Sequence, residues 1–203
     1  MNYVAHETSC IDEGAVIGED THIWHFCHVM STAKIGCRCN IGQNVYVDSH
    51  VTIGNGCKIQ NNVSVYRYVT LEDDVFCGPS MVFTNVHNPR ANIKKMNQAL
   101  PTLVKRGATL GANCAVVCGT TIGRYAFIGA GAVVTRDVPD HALMYGNPAK
   151  AHGWVCACGE KQDADLTCPV CGETYVLTEG GLQLRGATTQ PHKLGSDIDD
   201  LPH

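Results

Sequence analysis

The chain has 203 residues, of which 44% are hydrophobic and 17% are charged, a balance typical of a globular protein. Its net charge of −4 argues against a nucleic-acid-binding surface, which needs a clustered basic excess, and no apolar run approaches membrane-spanning length. The opening "MNYVAHETSC" lacks a signal-peptide pattern, so the twelve cysteines are expected to be reduced in the cytoplasm. We therefore expect a small-molecule partner, and neither nucleic acid nor membrane.

An aliphatic residue recurs at every sixth position through the first third of the chain. The series is Ile11, Ile17, Ile23, Val29, Ile35, Ile41, Val47, Ile53, Ile59, Val65 and Leu71. A period of six fits neither an α-helix nor a lone alternating strand, and it predicts a solenoid of short stacked strands. The period fails after Phe83 and resumes at Val104.

A second small or apolar residue follows four positions after each aliphatic one, as at Cys27, Cys39, Cys57 and Cys114. Each hexad therefore points two side chains inward, where a thiol packs as a compact hydrophobe. Glycines recur 18 residues apart, so three hexads are predicted to form one coil of triangular cross-section. Tyr68 stands at a corner where a turn-favouring glycine is expected.

The segment "IWHFCHV" (residues 23–29) places His25 and His28 at outward positions among aromatic side chains. His25 is a candidate for binding the substrate, with the aromatic neighbours bordering a nucleotide base. The alternative is an ordinary surface histidine.

Residues 85–103 interrupt the repeat with a loop longer than is usual in compact domains, and such loops are often functional. The loop opens within "FTNVHNPR", which contains Asn85, His87 and Arg90. An imidazole is the usual general base, although a histidine on an exposed loop is more often plain surface. Arg90 can pair bidentately with a carboxylate or a phosphate, or stay solvated.

A cysteine-rich appendage follows the repeats. Its sequence "CACGEKQDADLTCPVCG" contains Cys156, Cys158, Cys168 and Cys171. Four thiolates in a short cytosolic segment predict a closed structural zinc site, and a reactive dithiol is the alternative. We expect the solenoid at residues 1–152, a zinc-ribbon-like segment at 153–181, and a disordered tail at 182–203, which lacks periodicity.

The hexad pattern resembles that of the hexapeptide-repeat acyltransferases. Residues 69–90, 105–119 and 128–150 further resemble the branch that acetylates the 3-amino group of nucleotide-linked sugars. The resemblance implies an all-β fold, a left-handed parallel β-helix, in homotrimers whose active sites lie between neighbouring prisms. It also implies transfer of acetyl from acetyl-CoA to UDP-2-acetamido-3-amino-2,3-dideoxyglucuronate, for bacterial surface polysaccharides such as lipopolysaccharide O-antigen. A dTDP-linked 3-amino-3,6-dideoxyhexose is the alternative substrate.

The same resemblance assigns Asn85 to the sugar amine, which an amide carbonyl can orient, and leaves His87 as the competing candidate base. The backbone N–H groups of Cys118 and Gly119 are candidate oxyanion donors, because one coil further on they are expected on the same face as Asn85. Cys118 is expected at an outward position.

The coenzyme is expected along the later coils, where small residues let a pantetheine arm approach the backbone. The candidates are Gly111, Gly129, Ala130 and Gly131, for which turn geometry is the alternative explanation. Lys150 is expected to meet a CoA phosphate as a point charge.

Two other functions stay open. A γ-class carbonic anhydrase has the same prism and binds a catalytic metal with three histidines across a subunit boundary, for which the candidates are His25, His28, His50 and His87. A non-catalytic assembly module would use the solenoid as a scaffold and the zinc segment for docking. Neither explains the long amide-rich loop.

Overall fold

The computed structural model describes residues 2–186. Its strands are β1 (Val4–Ala5), β2 (Cys10–Ile11), β3 (Val16–Ile17), β4 (His22–Ile23), β5 (His28–Val29), β6 (Lys34–Ile35), β7 (Asn40–Ile41), β8 (Tyr46–Val47), β9 (Thr52–Ile53), β10 (Lys58–Ile59), β11 (Ser64–Val65), β12 (Val69–Leu71), β13 (Phe76–Cys77), β14 (Val82–Phe83), β15 (Thr102–Val104), β16 (Thr109–Leu110), β17 (Ala115–Val116), β18 (Thr121–Ile122), β19 (Phe127–Ile128), β20 (Val133–Val134), β21 (Ala142–Tyr145), β22 (Lys150–Trp154), β23 (Tyr175–Thr178) and β24 (Gly181–Leu184). Within residues 2–186, the helical structure consists of one short 3₁₀-helix at Met96–Gln98.

The strands stack into three parallel sheets that form the sides of a prism. The first sheet contains β1, β4, β7, β10, β13, β16, β19 and β21; the second contains β2, β5, β8, β11, β14, β17 and β20; the third contains β3, β6, β9, β12, β15 and β18. His22 pairs with Asn40, which pairs with Lys58, so each coil advances by 18 residues. The predicted all-β solenoid with three hexads per coil is therefore confirmed.

The core is the column of hexad aliphatics inside the prism. From Ile23 to Val134 these residues are 3% exposed or less, because each strand points one residue outward and the next inward. Ile11 and Ile17 are only partly buried, since they lie in the first coil. Every inward side chain packs against those of the coils above and below, so hydrophobic burial stabilises the stack along its whole length.

The inward cysteines occupy core positions as predicted. Cys27, Cys39, Cys57 and Cys114 are buried, and so is Cys77 at an aliphatic position. Burial raises the pKa of the Cys114 thiol to about 12. A protonated, buried thiol is a poor nucleophile, so Cys114 acts as core packing.

Tyr68 adopts the left-handed conformation that was expected to need glycine, with φ at +70°. His50, one coil before it, has φ at +61°, and the two rings stack with centroids 6.1 Å apart. The corner therefore keeps its shape without glycine, and the stacked rings line its outer surface.

The predicted excursion leaves the prism at the corner between the second and third sheets. β14 ends at Phe83 and β15 begins at Thr102, so residues 84–101 replace a four-residue corner. Thr102 then pairs with Val69, which returns the chain to the third sheet in register.

Two predicted domain boundaries fall inside strands. β22 runs antiparallel to β21 and crosses the boundary at residue 152, and β24 crosses the one at residue 182. Leu182 is 2% exposed because β23 and β24 form a hairpin that packs it against Tyr175. The rest of the predicted tail, residues 187–203, lies outside the described residues. No helix in residues 2–186 is long and apolar enough to cross a membrane.

Candidate active site

The two ends of the excursion are joined by a backbone hydrogen bond. The carbonyl oxygen of Asn85 accepts a hydrogen bond from the backbone N–H of Leu100 at 3.0 Å, and Val86 is buried beside them. These contacts hold Asn85 at the point where the excursion leaves the solenoid, with its side chain partly exposed.

A pocket of about 220 Å³ opens on the excursion beside Asn85. Its lining includes Asn85, Val86, Pro89, Arg90, Lys94 and Lys95. The structure thus brings together two predicted residues, Asn85 and Arg90, with two lysines that sequence reasoning missed. Lys95 Nζ donates to the carbonyl oxygen of Asn88 at 2.7 Å, which holds this cation in place. The other lining residues are apolar, including Ile93 and Met96, so the three cations and the amide are the groups available to an anionic, hydrogen-bonding ligand.

His87 lies over the corner of the next coil. A Cβ built on Gly119 would lie 3.9 Å from His87 Nε2 and 3.2 Å from Leu100 Cδ1. Leu100 and the imidazole of His87 are therefore the side chains that lie nearest to the outer face of Gly119. Its backbone N–H meets no acceptor among residues 2–186.

The surroundings of Cys118 differ from those expected in two respects. Its side chain is 1% exposed. Its backbone N–H donates to Thr84 Oγ1 at 3.0 Å, so this group is already engaged. Gly119 alone remains as a candidate oxyanion donor of the predicted pair.

Arg67 is a candidate anion-binding residue that the sequence reasoning missed. It lies at the same corner as the excursion, one coil earlier, and its Nη2 donates to Ser49 Oγ at 2.5 Å. Its backbone N–H donates to Asp48 Oδ2 at 3.2 Å. The guanidinium is therefore held in one orientation, with its side chain 35% exposed. Its outward hexad position was the signal available in the sequence.

The predicted coenzyme residues lie at the corner between the first and second sheets. A Cβ on Gly111 would lie 2.6 Å from the backbone nitrogen of Ala130, so Gly111 is required for close stacking of the coils. Gly131 has φ at +71° with open space around it, and its surface is free to approach a ligand. Lys150 on β22 pairs with Tyr145 on β21, at the carboxyl-terminal end of the first sheet.

A groove of about 330 Å³ lies on the early coils at this corner. Its lining includes Trp24, His25, Asn40, Gln43, Gln60 and Asn61. Trp24 Nε1 donates to Asn40 Oδ1 at 2.6 Å, and His25 stacks on His6 with ring centroids 3.5 Å apart. Flat rings beside amide groups provide stacking and hydrogen bonds of the kind that a planar base uses. The four amide side chains were not singled out from the sequence.

One chain does not bring all the predicted residues together. Asn85, His87, Arg90 and Gly119 share the corner between the second and third sheets, whereas His25 and Gly131 lie at the corner between the first and second. These corners are different edges of the prism. A site that contains both sets of residues needs a second chain.

The other histidines of the metal hypothesis have separate contacts in the chain. His28 Nε2 lies 3.0 Å from Asp12 Oδ1, and this hydrogen bond lowers the pKa of the Asp12 carboxyl. His50 stacks on Tyr68. Residues 2–186 contain two clusters of side chains that could hold a metal ion. One consists of the four appendage cysteines, and the other consists of Cys10, Asp12 and His28, so neither contains more than one histidine.

The four appendage cysteines form one cluster. All four sulfur atoms lie within 4.8 Å of one another. Cys156 and Cys168 are buried, whereas Cys158 and Cys171 are exposed. The predicted ligand set is therefore brought together at one point.

Comparison with known proteins identifies a relative that aligns with most of the chain. The sequence profile described as bacterial transferase hexapeptide (six repeats) matches residues 14–49, 32–67 and 101–136, which confirms the predicted hexapeptide-repeat β-helix. The chain is 43% identical over 175 residues to dTDP-3-amino-3,6-dideoxy-alpha-D-galactopyranose 3-N-acetyltransferase of Aneurinibacillus thermoaerophilus. This alignment covers 85% of the chain and 90% of that protein.

Solved structures share the fold at lower identity. The acetyltransferase domain of PglB from Neisseria gonorrhoeae, in complex with acetyl coenzyme A, superposes with a TM-score of 0.50 at 21% identity. That superposition covers 74% of this chain and 57% of the other. A hexapeptide transferase family protein from Anaplasma phagocytophilum gives a TM-score of 0.51 at 16% identity, covering 76% and 80% of the two chains.

Proposed function

The chain belongs to the bacterial hexapeptide transferase family, and we propose that it transfers acetyl from acetyl-CoA to the 3-amino group of a nucleotide-linked amino sugar. The observation that carries the proposal is the 43% identity, over 85% of the chain, to a relative named for that reaction. The pocket at Asn85 supports this proposal as a place for the acceptor, since its lining includes an amide and three cations.

The first candidate acceptor is a dTDP-linked 3-amino-3,6-dideoxyhexose, the class of sugar named for this relative. The groove at Trp24 and His25 would take the nucleotide base. The loop cations would then meet the diphosphate.

A second candidate, UDP-2-acetamido-3-amino-2,3-dideoxyglucuronate, is favoured by the charge of the excursion pocket. Arg90, Lys94 and Lys95 all line it, and a sugar carboxylate would give one of them a partner beyond the diphosphate. Either acceptor would serve synthesis of a surface polysaccharide.

The proposed chemistry begins with a neutral sugar amine placed against the thioester. The side-chain carbonyl of Asn85 accepts one hydrogen of the amine and aims the nitrogen lone pair at the acetyl carbon. The new C–N bond pushes negative charge onto the acetyl oxygen, towards which the N–H of Gly119 is free to donate. Collapse breaks the C–S bond, and the amine proton leaves to solvent or to the departing thiolate.

His87 is the rival for the proton. Its imidazole stands beside Gly119, so a nucleophile bound over this glycine lies within reach of Nε2. General-base catalysis would make the reaction depend on this ring, whereas the amide-positioning mechanism would not.

Acetyl-CoA is proposed to lie along the corner that contains Gly129, Ala130 and Gly131, with Lys150 at a phosphate. Because this corner and the excursion are on different edges of one prism, we propose a homotrimer in which neighbouring chains complete each site. We also propose a cytoplasmic location, since none of the twelve cysteines is in a disulfide.

The test is release of CoA thiol by purified protein with each of the two sugars. We expect a higher kcat/KM with the dTDP-linked sugar. Preference for the uronate would reverse the ranking, and Arg90→Ala should then raise KM for that sugar. Absence of turnover with both sugars would refute the proposed function, and a metal-dependent hydration assay would then examine the carbonic anhydrase alternative.

A further inference from the structure

We propose that Cys156, Cys158, Cys168 and Cys171 bind one zinc ion as four thiolates, and that this zinc holds a cap on the carboxyl-terminal end of the solenoid. The inference is independent of the proposed reaction, because it concerns a cluster that the acetyl-transfer site does not use.

The sulfur positions fit tetrahedral coordination. Zinc bonds to sulfur are about 2.3 Å long, which places the four sulfurs about 3.8 Å apart at the corners of a tetrahedron. Cys156 and Cys171 have their sulfurs 3.4 Å apart, and Cys158 and Cys168 have theirs 3.6 Å apart. Both separations are far longer than a disulfide bond of about 2.05 Å.

The backbone forms two similar knuckles around the cluster. Gly159 follows the second cysteine of the first pair, and Gly172 follows that of the second; their φ angles are +95° and +75°. The N–H of Gly159 donates to the carbonyl oxygen of Cys156 at 2.9 Å, and that of Gly172 to the carbonyl oxygen of Cys168 at 3.0 Å. Each turn brings both sulfurs of its pair to the same side, although the first pair has only one intervening residue.

The appendage has too small a core to fold without a crosslink. Its buried hydrophobic cluster consists of Cys156, Cys168, Tyr175 and Leu182, so two of the four members are the proposed ligands. Folds below about 40 residues usually depend on disulfides, metals or oligomerisation. With the sulfurs close together and unbonded, a metal is the crosslink that the chemistry allows.

The appendage is attached to the last coil at two points. The N–H of Val155 donates to the carbonyl oxygen of His141 at 2.8 Å, and the N–H of Asp140 donates to the carbonyl oxygen of Gly180 at 2.9 Å. The ring of His141 contacts Tyr175, with centroids 5.0 Å apart. Solenoids need a terminal unit to cover their last coil, and the zinc-held hairpin provides one.

Four protein ligands leave no open coordination position, so the ion has a structural role. Tetrahedral sulfur sites also accept iron. Metal analysis therefore has to measure both elements.

The first experiment measures zinc and iron by mass spectrometry in the purified full-length protein. We expect one zinc per chain, most of it lost in Cys171→Ser and all of it retained in Cys37→Ser, a cysteine outside the cluster. A chain with stoichiometric iron, without metal, or with a disulfide in the cluster would overturn the proposal.

A second measurement keeps the proposal falsifiable if Cys171→Ser does not fold. Cobalt exchanged into the wild-type protein should show intense visible absorption and sulfur-to-metal charge-transfer bands. Weaker charge-transfer bands, as expected for fewer than four thiolates, would contradict the proposed ligand set. Chelation should accelerate hydrogen exchange in residues 155–184 and leave the early coils unchanged; equal exchange with and without chelator would refute the cap. Neither readout needs turnover, so it succeeds or fails separately from the proposed acetyl transfer.

Discussion

Substituting Gly119 by alanine should separate backbone strain from damage to the site. Gly119 has φ at +84°, a conformation that costs a residue with a Cβ about 1–2 kcal/mol. Its new methyl would also lie 3.2 Å from Leu100 Cδ1. Leu100 is 39% exposed and can shift by a few tenths of an ångström, so this crowding adds little to the loss of stability.

The effect on activity should be larger than the effect on folding suggests. The methyl would cover the outer face of Gly119 beside Leu100 and His87, where the acetyl oxygen is proposed to bind. We expect kcat/KM to fall about tenfold, equivalent to about 1.4 kcal/mol of transition-state stabilisation.

The matched control is Gly14→Ala. Gly14 has φ at +90° with nothing within 4 Å of a built Cβ, so it carries the same backbone strain without the crowding. Both variants should lose similar unfolding free energy in denaturant titrations, while only Gly119→Ala loses thiol-release activity. Equal activity of the two variants would refute the placement of the site over Gly119.

Three further predictions concern the core, a buried histidine and the coenzyme. Phe83→Ala should lower the unfolding free energy by about 3–5 kcal/mol, because Phe83 is 1% exposed; Val82→Ala on the same strand, 47% exposed, should change it far less in the same urea titration. Burial lowers the pKa of His141, so the unfolded chain takes up a proton at a higher pH than the folded chain does. The unfolding free energy should therefore fall as pH drops below about 6.5. If His141→Gln left the dependence of the unfolding free energy on pH unchanged, this explanation would be contradicted. Lys150→Ala should raise KM for acetyl-CoA about two- to fivefold with kcat unchanged, as a solvent-exposed charge contact implies, whereas an equal rise in Lys58→Ala would point to a general charge effect.

The repeating part of the fold was predictable from the sequence because its causes are local. Each coil needs the same inward aliphatic, the same small residue and the same tight corner, so every hexad from Ile23 onward carries the same signal for the same local structure. Tyr68 shows that even a corner lacking the expected glycine keeps its geometry when the surrounding coils fix it.

The candidate site was only partly predictable because its geometry depends on the path of the excursion. Asn85, His87 and Arg90 stand out where the repeat fails. Periodicity alone placed Cys118 outward, yet its side chain is buried and its backbone N–H is bonded to Thr84, where the excursion begins. No local pattern specifies such a long-range contact.

The predicted boundaries at residues 152 and 182 fall inside strands for a related reason. Short strands that pair outside the hexad register, β22 and β24, carry no six-residue signal. Their pairing partners and the burial of Leu182 define them only in three dimensions.

The most direct test of the account is kcat/KM of Asn85→Ala compared with Asn92→Ala, measured by thiol release with the better of the two sugars. Asn92 lies on the same excursion, exposed to solvent, and its loss should change the rate less than about twofold, whereas loss of an amide that orients the amine should lower kcat/KM about 100-fold. If both variants kept wild-type activity, the acceptor amine would not be held at Asn85, and the proposed site would be wrong.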